Sequence, residues 1–291
     1  MHLCEFTDAA PGPRTIAVGT FDGVHVGHRE VIGDAGTVLT FEPHPVAVIA
    51  PSRTPKLLTP LAVKAEIIAS LGVAELLVIR FDRAFAARTA AQFIDEVLVE
   101  RLSATEVSVG ENFRFGAGAG GDAALLVADG RFAARVVPLL EVDGEIVSSS
   151  QIRSLIAAGE VARAAMLLGN PFELRGVVAT GDRRGRELGF PTANLVAPDG
   201  LACPGHGVYA CFANGLPAAV SIGVRPTFGT GRAELIEAYL IDFDGDLYGQ
   251  ELRLRFLQRL RGERRFETVE ALVEEMHHDV ERTRAICAAA A

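Results

Sequence analysis

From residue 15 to about residue 168 the chain alternates strand-like apolar runs with helices whose ends can be read, and after Gly169-Asn170-Pro171 that alternation stops. The runs fall at 15–18, 37–41, 75–79, 106–109 and 135–140. Between them, Thr59 and Pro60 make an N-cap and first-position pair for a helix that stops at Gly72. Thr89 and Gln92 have the spacing of a capping box, and Phe93, Ile94, Val97, Leu98 and Leu102 follow on one helical face. Such alternation predicts an α/β domain built on a mostly parallel sheet covered on both sides. Sheets of that kind bind ligands at the carboxyl ends of their strands, where residues 20–28 fall.

Residues 172–258 read differently, as short apolar runs broken by Gly, Pro and Asp-Gly, the pattern of antiparallel strands and turns. The runs 235–243 and 252–257, separated by Asp244-Gly245, predict a hairpin with a long loop. Residues 268–287 form one amphipathic helix with Val269, Leu272, Val273, Met276 and Val280 as its apolar stripe. The boundary therefore lies near 170, giving domains of 1–169 and 170–291, the second β-rich with a closing helix. No apolar run approaches the roughly 18 residues of a membrane span. The first residues have neither the basic nor the apolar region of a secretion signal. The cysteines at 4, 203, 211 and 287 lie too far apart for a zinc or disulfide framework, which points to a reducing cytoplasm. A net charge of −9 argues against nucleic acid as a partner, while a local anion site needs only a few donors.

The run Gly19-Thr20-Phe21-Asp22-Gly23-Val24-His25-Val26-Gly27-His28 follows the first strand and opens a helix. Backbone N–H groups at such a turn, with two imidazoles beside them, suit phosphate oxygens and fit transfer of a nucleotidyl group. The same residues also suit a plain strand-to-helix turn with solvated histidines. Ser148-Ser149-Ser150-Gln151-Ile152-Arg153 puts three hydroxyls at a helix start and an arginine one turn in. Hydroxyls there hold phosphate oxygens or simply cap the helix, and Arg153 can neutralise a leaving pyrophosphate. Gly110-Glu111-Asn112-Phe113-Arg114-Phe115-Gly116 offers an amide and two aromatic rings after a strand, or a loop with core phenylalanines.

In the second half, Gly181, Gly185 and Gly189 recur every four residues, which suits a loop whose N–H groups wrap phosphates. Thr192 and Asn194, two residues apart in an extended segment, put two oxygens on one face for a hard cation; a local turn uses the same residues. Glu237 sits in the apolar strand-like run 235–241, sharing a face with Tyr239 and Ile241, either as a charge on an edge strand or as a general base.

Taken together, 19–28, Thr40-Phe41-Glu42-Pro43-His44-Pro45, 110–116 and 148–153 resemble, in order and spacing, the bacterial bifunctional riboflavin kinase/FAD synthetase family. So do 181–195, Gly207-Val208-Tyr209, 221–227, Asp246-Leu247-Tyr248-Gly249 and Arg261-x-Glu263-x-x-Phe266. The resemblance implies a Rossmann-like nucleotidyltransferase domain, then a β-barrel riboflavin kinase domain with a C-terminal helix. It implies ATP as co-substrate, Mg²⁺ as cofactor, and riboflavin and FMN as the flavins handled. Gly19, Phe21, His25, His28, Ser149 and Ser150 would meet one ATP, with His28 and Arg153 catalytic, and Asn112 and Phe115 near the flavin. Gly181, Gly185 and Gly189 would cover a second ATP, with Thr192 and Asn194 on the metal, Arg261 near riboflavin and Glu237 as base. Three departures from the family pattern stand out: a short segment from His28 to Val38, Ser150 in place of the usual threonine, and Asn170 in place of arginine. The short segment motivates an alternative, a riboflavin kinase whose adenylyltransferase domain is weakened.

Overall fold

The computed structural model describes residues 1–179, 189–225 and 233–290. The chain divides into two compact units, Met1–Ser149 and Ser150–Ala291. In the first unit the strands are β1 (His2–Glu5), β2 (Arg14–Val18), β3 (Thr37–Glu42), β4 (Glu75–Arg80) and β5 (Ala104–Gly110), then the short ribbon β6 (Arg114–Phe115) with β7 (Gly121–Asp122), then β8 (Ala133–Val137) and a second ribbon, β9 (Glu141–Val142) with β10 (Glu145–Ile146). The helices are α1 (Val26–Ile32), α2 (Pro45–Ile49), α3 (Leu61–Ser70), α4 (Arg83–Ala86), α5 (Ala90–Gln92) and α6 (Ala123–Asp129).

Six strands form one sheet in the order β1-β4-β3-β2-β5-β8, with every neighbouring pair parallel. Alternate residues enter two separate cores, as a sheet covered on both faces requires. Ile16, Val18, Leu39, Leu77, Ile79, Val107 and Val109 share one core with Phe93, Val97 and Leu98. Ala17, Val38, Leu76 and Val78 share the other with Ile32 of α1 and Ile68 of α3. The chain leaves β2 for β3 on one side and places β5 on the other, so the order reverses between β2 and β5. In open α/β sheets that reversal is where ligands bind.

The sequence missed β1, a parallel edge strand whose His2 lies opposite Glu75. It placed β8 too long: the strand ends at Val137 because Pro138 has no N–H to give the ladder. The helix after Thr59 starts one residue late, with Pro60 as N-cap, because both Thr59 polar groups are used elsewhere. The capping box at Thr89 and Gln92 is present. The stripe behind it lies on a π-helix, Phe93–Arg101, in which the Leu102 N–H reaches the Val97 carbonyl five residues back (3.1 Å). A wider turn matches the spacing of the buried positions 93/94, 97/98 and 102, which recur at longer intervals than a 3.6-residue period gives.

At the amino-terminal ends of β2, β3 and β4, Arg14 Nε and Thr37 Oγ1 both donate to Glu75 Oε2 (2.7 and 3.0 Å). The Arg14 hydrogen bond, opposed by burial, holds the Glu75 carboxyl below its ordinary range. That stabilisation is complete above the unfolded-state carboxylate range and is lost as pH falls through the lowered folded value. Glu75→Gln is therefore expected to destabilise the protein at neutral pH and flatten the acid limb of its stability curve, read as urea midpoints between about pH 7 and about pH 3. An acid limb as steep as that of the parent protein contradicts this.

The second unit opens with helices α7 (Ser149–Ala158) and α8 (Val161–Leu168), whose first residue closes the first unit. The strands β11 (Phe172–Ala179), β12 (Ala193–Val196), β13 (Gly207–Ala213), β14 (Leu216–Arg225), β15 (Ala233–Leu240) and β16 (Glu251–Arg261) close into a barrel ordered β11-β12-β15-β14-β13-β16. The helix α9 (Val269–Ala290) ends the chain. Every neighbouring strand pair in the barrel is antiparallel, and the interior is filled by Leu174, Leu195, Val220, Ile222, Ile236, Leu254 and their like.

The expected hairpin between 235 and 257 does not form. β15 pairs with β12 and β14, while β16 pairs with β11 and β13. The linking residues instead run to β11, where Gly249 N–H donates to the Val178 carbonyl (2.9 Å). The α9 stripe holds at Val280 and at the half-buried Val273 and Met276, which pack with Phe190 and Ile241, but it starts later and runs further than expected. Val269 is exposed, and the buried positions are Asp279, Val280, Thr283 and Cys287. Asp279 is buried because Arg261 Nε and Nη2 donate to its carboxylate (3.0 and 2.8 Å), fastening the helix to the end of β16.

Candidate active sites

The chain leaves β2 through a turn with unusual backbone. Phe21 (φ 48), Gly23 (φ 88) and Val24 (φ 41) all lie in the left-handed region, which is sterically costly for a β-branched residue. Such conformations persist where the surroundings over-determine them, and they concentrate at functional sites. Here Phe21 and Val24 are buried at 1% and 0% exposure. A Cβ on Gly19 would come 3.0 Å from the Phe21 ring, so the ring closes over a position that has to be glycine or shift. The Asp22 carboxylate accepts the N–H groups of Leu58 and Thr59 (3.0 Å each), and Gly23 N–H donates to Thr59 Oγ1 (2.9 Å). These bonds explain why Thr59 does not cap α3.

His25 is the N-cap of α1: its Nδ1 accepts the His28 N–H (3.2 Å). A neutral His25 therefore carries its proton on Nε2. The His25 and His28 rings stack with centroids 3.5 Å apart, and Phe21 meets His28 edge-on at 5.3 Å. The two imidazoles thus form one compact unit, as the spacing of the motif predicts. α1 is as short as the sequence implies, yet it is pinned along its length. Val31 and Ile32 are buried, Ser108 Oγ donates to the Val31 carbonyl (2.6 Å), Arg29 Nε donates to the Val24 carbonyl (3.2 Å), and Gly33 closes the helix with φ 50. Loss of length is offset by these ties, which weakens the ground for a failed first domain.

One further residue of the first unit reaches this turn. Ser149 Oγ donates to the Asp22 carbonyl (2.9 Å). Ser150 is exposed and Arg153 half-buried, in the first turns of α7. After β3, His44 caps α2, its Nδ1 accepting the Val46 N–H (3.2 Å); the sequence assigned His44 no role. The loop after β5 holds Asn112 at the surface, while Phe115 lies in the core, tilted against Phe93 (5.3 Å) and stacked on Phe113 (5.5 Å). The core alternative for this loop thus describes Phe115, and the half-buried Phe113 and exposed Asn112 are what it offers outward.

On the barrel, Asn194 of β12 lies directly opposite Glu237 of β15, and Glu237 lies opposite Ser221 of β14. All three are half-buried and alternate with the buried Leu195, Ile236, Ala238 and Ile222, so they share the outer face. Two residues along that face, Tyr239 packs on Phe190 (5.2 Å), and Phe190 on His277 of α9 (5.0 Å). Ile241, expected on the same strand face, lies beyond the end of β15 and joins Phe190 and Val280 in a small core under α9. Thr192 is half-buried just before β12, and Gly189 is exposed with φ 85. Gly181 and Gly185 lie outside the described residues. Arg261 is fully engaged by Asp279, Glu275 (3.4 Å) and the Phe266 ring (5.6 Å). Asp279 gave no signal in the sequence because it sits among many exposed acidic residues of α9.

For a metal, Thr192 just before β12 and Asn194 within it offer oxygen donors of the kind hard cations take. Among the described residues, His2, Cys4 and Glu75 also gather donor atoms within 4.8 Å. There Arg14 and Thr37 already occupy the Glu75 carboxylate, which is engaged in an ion pair with Arg14.

A parallel sheet with a strained, histidine-bearing turn at its point of reversal, followed by a closed barrel carrying a carboxylate opposite an amide, fits a two-domain nucleotide-using transferase. Comparison with known proteins is more specific. The FAD synthetase family model matches residues 8–151, and the riboflavin kinase model matches residues 168–287. A bifunctional riboflavin kinase/FMN adenylyltransferase from Listeria monocytogenes is 38% identical, over 94% of this chain and 93% of its own. The protein of the same name from Escherichia coli is 37% identical, over 91% of this chain and 90% of its own. This chain belongs to the bifunctional riboflavin kinase/FMN adenylyltransferase family. A crystal structure titled as a macrolide-efflux protein from Streptococcus pneumoniae superposes with a TM-score of 0.89 at 30% identity, covering 98% of this chain and 99% of that one. In the present protein no helix among the described residues is long and apolar enough to cross a membrane.

Proposed function

We propose that this chain phosphorylates riboflavin with ATP to give FMN, then adenylylates FMN with a second ATP to give FAD and pyrophosphate. The observation that carries this reading is the tandem match to both family models over nearly the whole chain. Adenylyl transfer is assigned to residues 1–169 and phosphorylation to 170–291. ATP use in a chain without linked cysteines goes with a cytoplasmic location.

In the first reaction a ribityl hydroxyl attacks the γ-phosphorus of ATP, the bond from that phosphorus to the β–γ bridging oxygen breaks, and ADP leaves. Glu237 takes the hydroxyl proton as general base, a role worth about 10²–10⁴-fold. The loop containing Gly181, Gly185 and Gly189 holds the phosphates, and Arg261 orders the flavin side. Thr192 and Asn194 would hold Mg²⁺, which when bound with ATP offsets charge on the phosphates. The register opposing Asn194 to Glu237 supports placing base and metal ligands side by side.

In the second reaction the FMN phosphate attacks the α-phosphorus of ATP in line with departing pyrophosphate, so no covalent enzyme intermediate is needed. Gly19, Phe21, His25, His28, Ser149 and Ser150 seat the nucleotide, with His28 and Arg153 stabilising charge on the phosphoryl oxygens. Asn112 and Phe115 are assigned to the flavin end, Phe115 as the ring beneath Phe113. Purified protein given riboflavin, ATP and Mg²⁺ should accumulate FMN first and FAD after a lag, resolved by chromatography. FMN alone would select a kinase with a silent first domain, and neither product would overturn the reading.

A further inference from the structure

Directly behind the turn after β2 is a cation that the chemistry above does not use. Lys64 of α3 is 5% exposed, and its Nζ donates to the Thr20 carbonyl (2.8 Å), which also accepts Thr40 Oγ1 (3.1 Å). Burial pushes the lysine pKa down, while the facing carboxylates of Asp22 and Glu42 oppose that shift. A buried ammonium is unfavourable unless it is paired and hydrogen-bonded, and an apolar side chain would fill the same space without that cost. The charge therefore has a use at this position.

Thr20 is the last residue before the backbone enters the left-handed region at Phe21. The turn beyond it is tied through Asp22 to Leu58 and Thr59, and through Gly23 to Thr59, all just ahead of α3. Lys64 adds a tie from within α3 itself, on the β2 side of the strained residues. Thr20 is thus clamped between β3 and α3, and the strained stretch that presents His25 and His28 begins from a fixed carbonyl. Lys64 also places positive charge under a turn read as the seat of a polyphosphate.

We propose that Lys64 is a positioning residue for adenylyl transfer, its ammonium clamping the Thr20 carbonyl so that the turn holds His25 and His28 in register with the ATP phosphates. This role rests on the reading of that turn as the ATP seat. Misplacement of a reacting group by about 1 Å costs on the order of 10²-fold in rate.

The test uses the full chain with Lys64→Met, which keeps the length of the side chain and removes its charge and donors. Adenylyl transfer from supplied FMN is expected to fall about 10²-fold in kcat/KM, with both kcat and KM for ATP affected. Lys64→Arg, which restores a cation and donors, should recover most of that loss. Riboflavin phosphorylation by the same preparations should be unchanged, and hydrogen exchange in β2, β3 and β5 should remain as protected as in the parent. Adenylyl transfer within threefold of the parent would overturn the role. So would a loss matched by deprotection of the whole sheet, which would make Lys64 a fold residue only. A parent enzyme that makes FMN and no FAD would overturn the reading of the turn, and the role of Lys64 with it.

Discussion

His28→Ala is expected to lower FAD formation from supplied FMN by about 10²–10³-fold while FMN formation from riboflavin continues at the parent rate. The loss corresponds to about 2.7–4 kcal/mol of transition-state stabilisation, the size found when one positioned donor to a developing anion is deleted. The geometry makes the substitution clean. His25 receives its capping hydrogen bond from the backbone N–H of His28, and alanine retains that group. Asp22, Thr59 and Lys64 hold the strained turn through hydrogen bonds in which the His28 ring takes no part. What is removed is one imidazole from a stacked pair with a 3.5 Å separation. Chromatography of FMN and FAD in initial-rate assays checks the result, and unchanged adenylyl transfer would remove His28 from the mechanism.

Glu237→Gln should have the mirror-image effect: loss of riboflavin phosphorylation by about 10²–10⁴-fold, with adenylyl transfer from supplied FMN intact. Glutamine keeps the size of the side chain and its place opposite Asn194 and Ser221, so the barrel ladder is preserved. The negative charge and with it the capacity to take a proton are lost. A bland role for Glu237, as a charge on the outer face of a strand, predicts a change within about ±0.5 kcal/mol in stability and none in rate. β15 is an interior member of the closed barrel, paired on both sides, so the edge-strand alternative is excluded by topology.

The sequence carried the strand–helix alternation because each parallel strand announces itself as an apolar run bounded by turn signals, and both faces of β2, β3 and β4 are buried. It carried the His25/His28 unit because the N-cap position and the spacing of three residues fix both rings near one helix start. Other features depended on partners distant in sequence. The edge strand β1 is four residues long and is a strand only because β4 lies beside it. The order of the barrel was hidden because an Asp-Gly between two apolar runs signals a turn but not which strand comes next. The burial of Asp279 beside the α9 stripe was not legible because Arg261 draws it inward, a tertiary ion pair that periodicity cannot register. Lys64 and Asp22 read as ordinary charges in sequence; their burial beneath the turn follows from the packing of α3 on the sheet.

The central claim is that one chain carries two separate reaction sites joined by FMN. Mixing the two full-length variants tests it directly. With riboflavin, ATP and Mg²⁺, His28→Ala alone should stop at FMN and Glu237→Gln alone should leave riboflavin unchanged. Combined in one tube they should make FAD, because FMN released by the first is adenylylated by the second. FAD from either variant alone at the parent rate, or a mixture that accumulates FMN without converting it, would contradict the account.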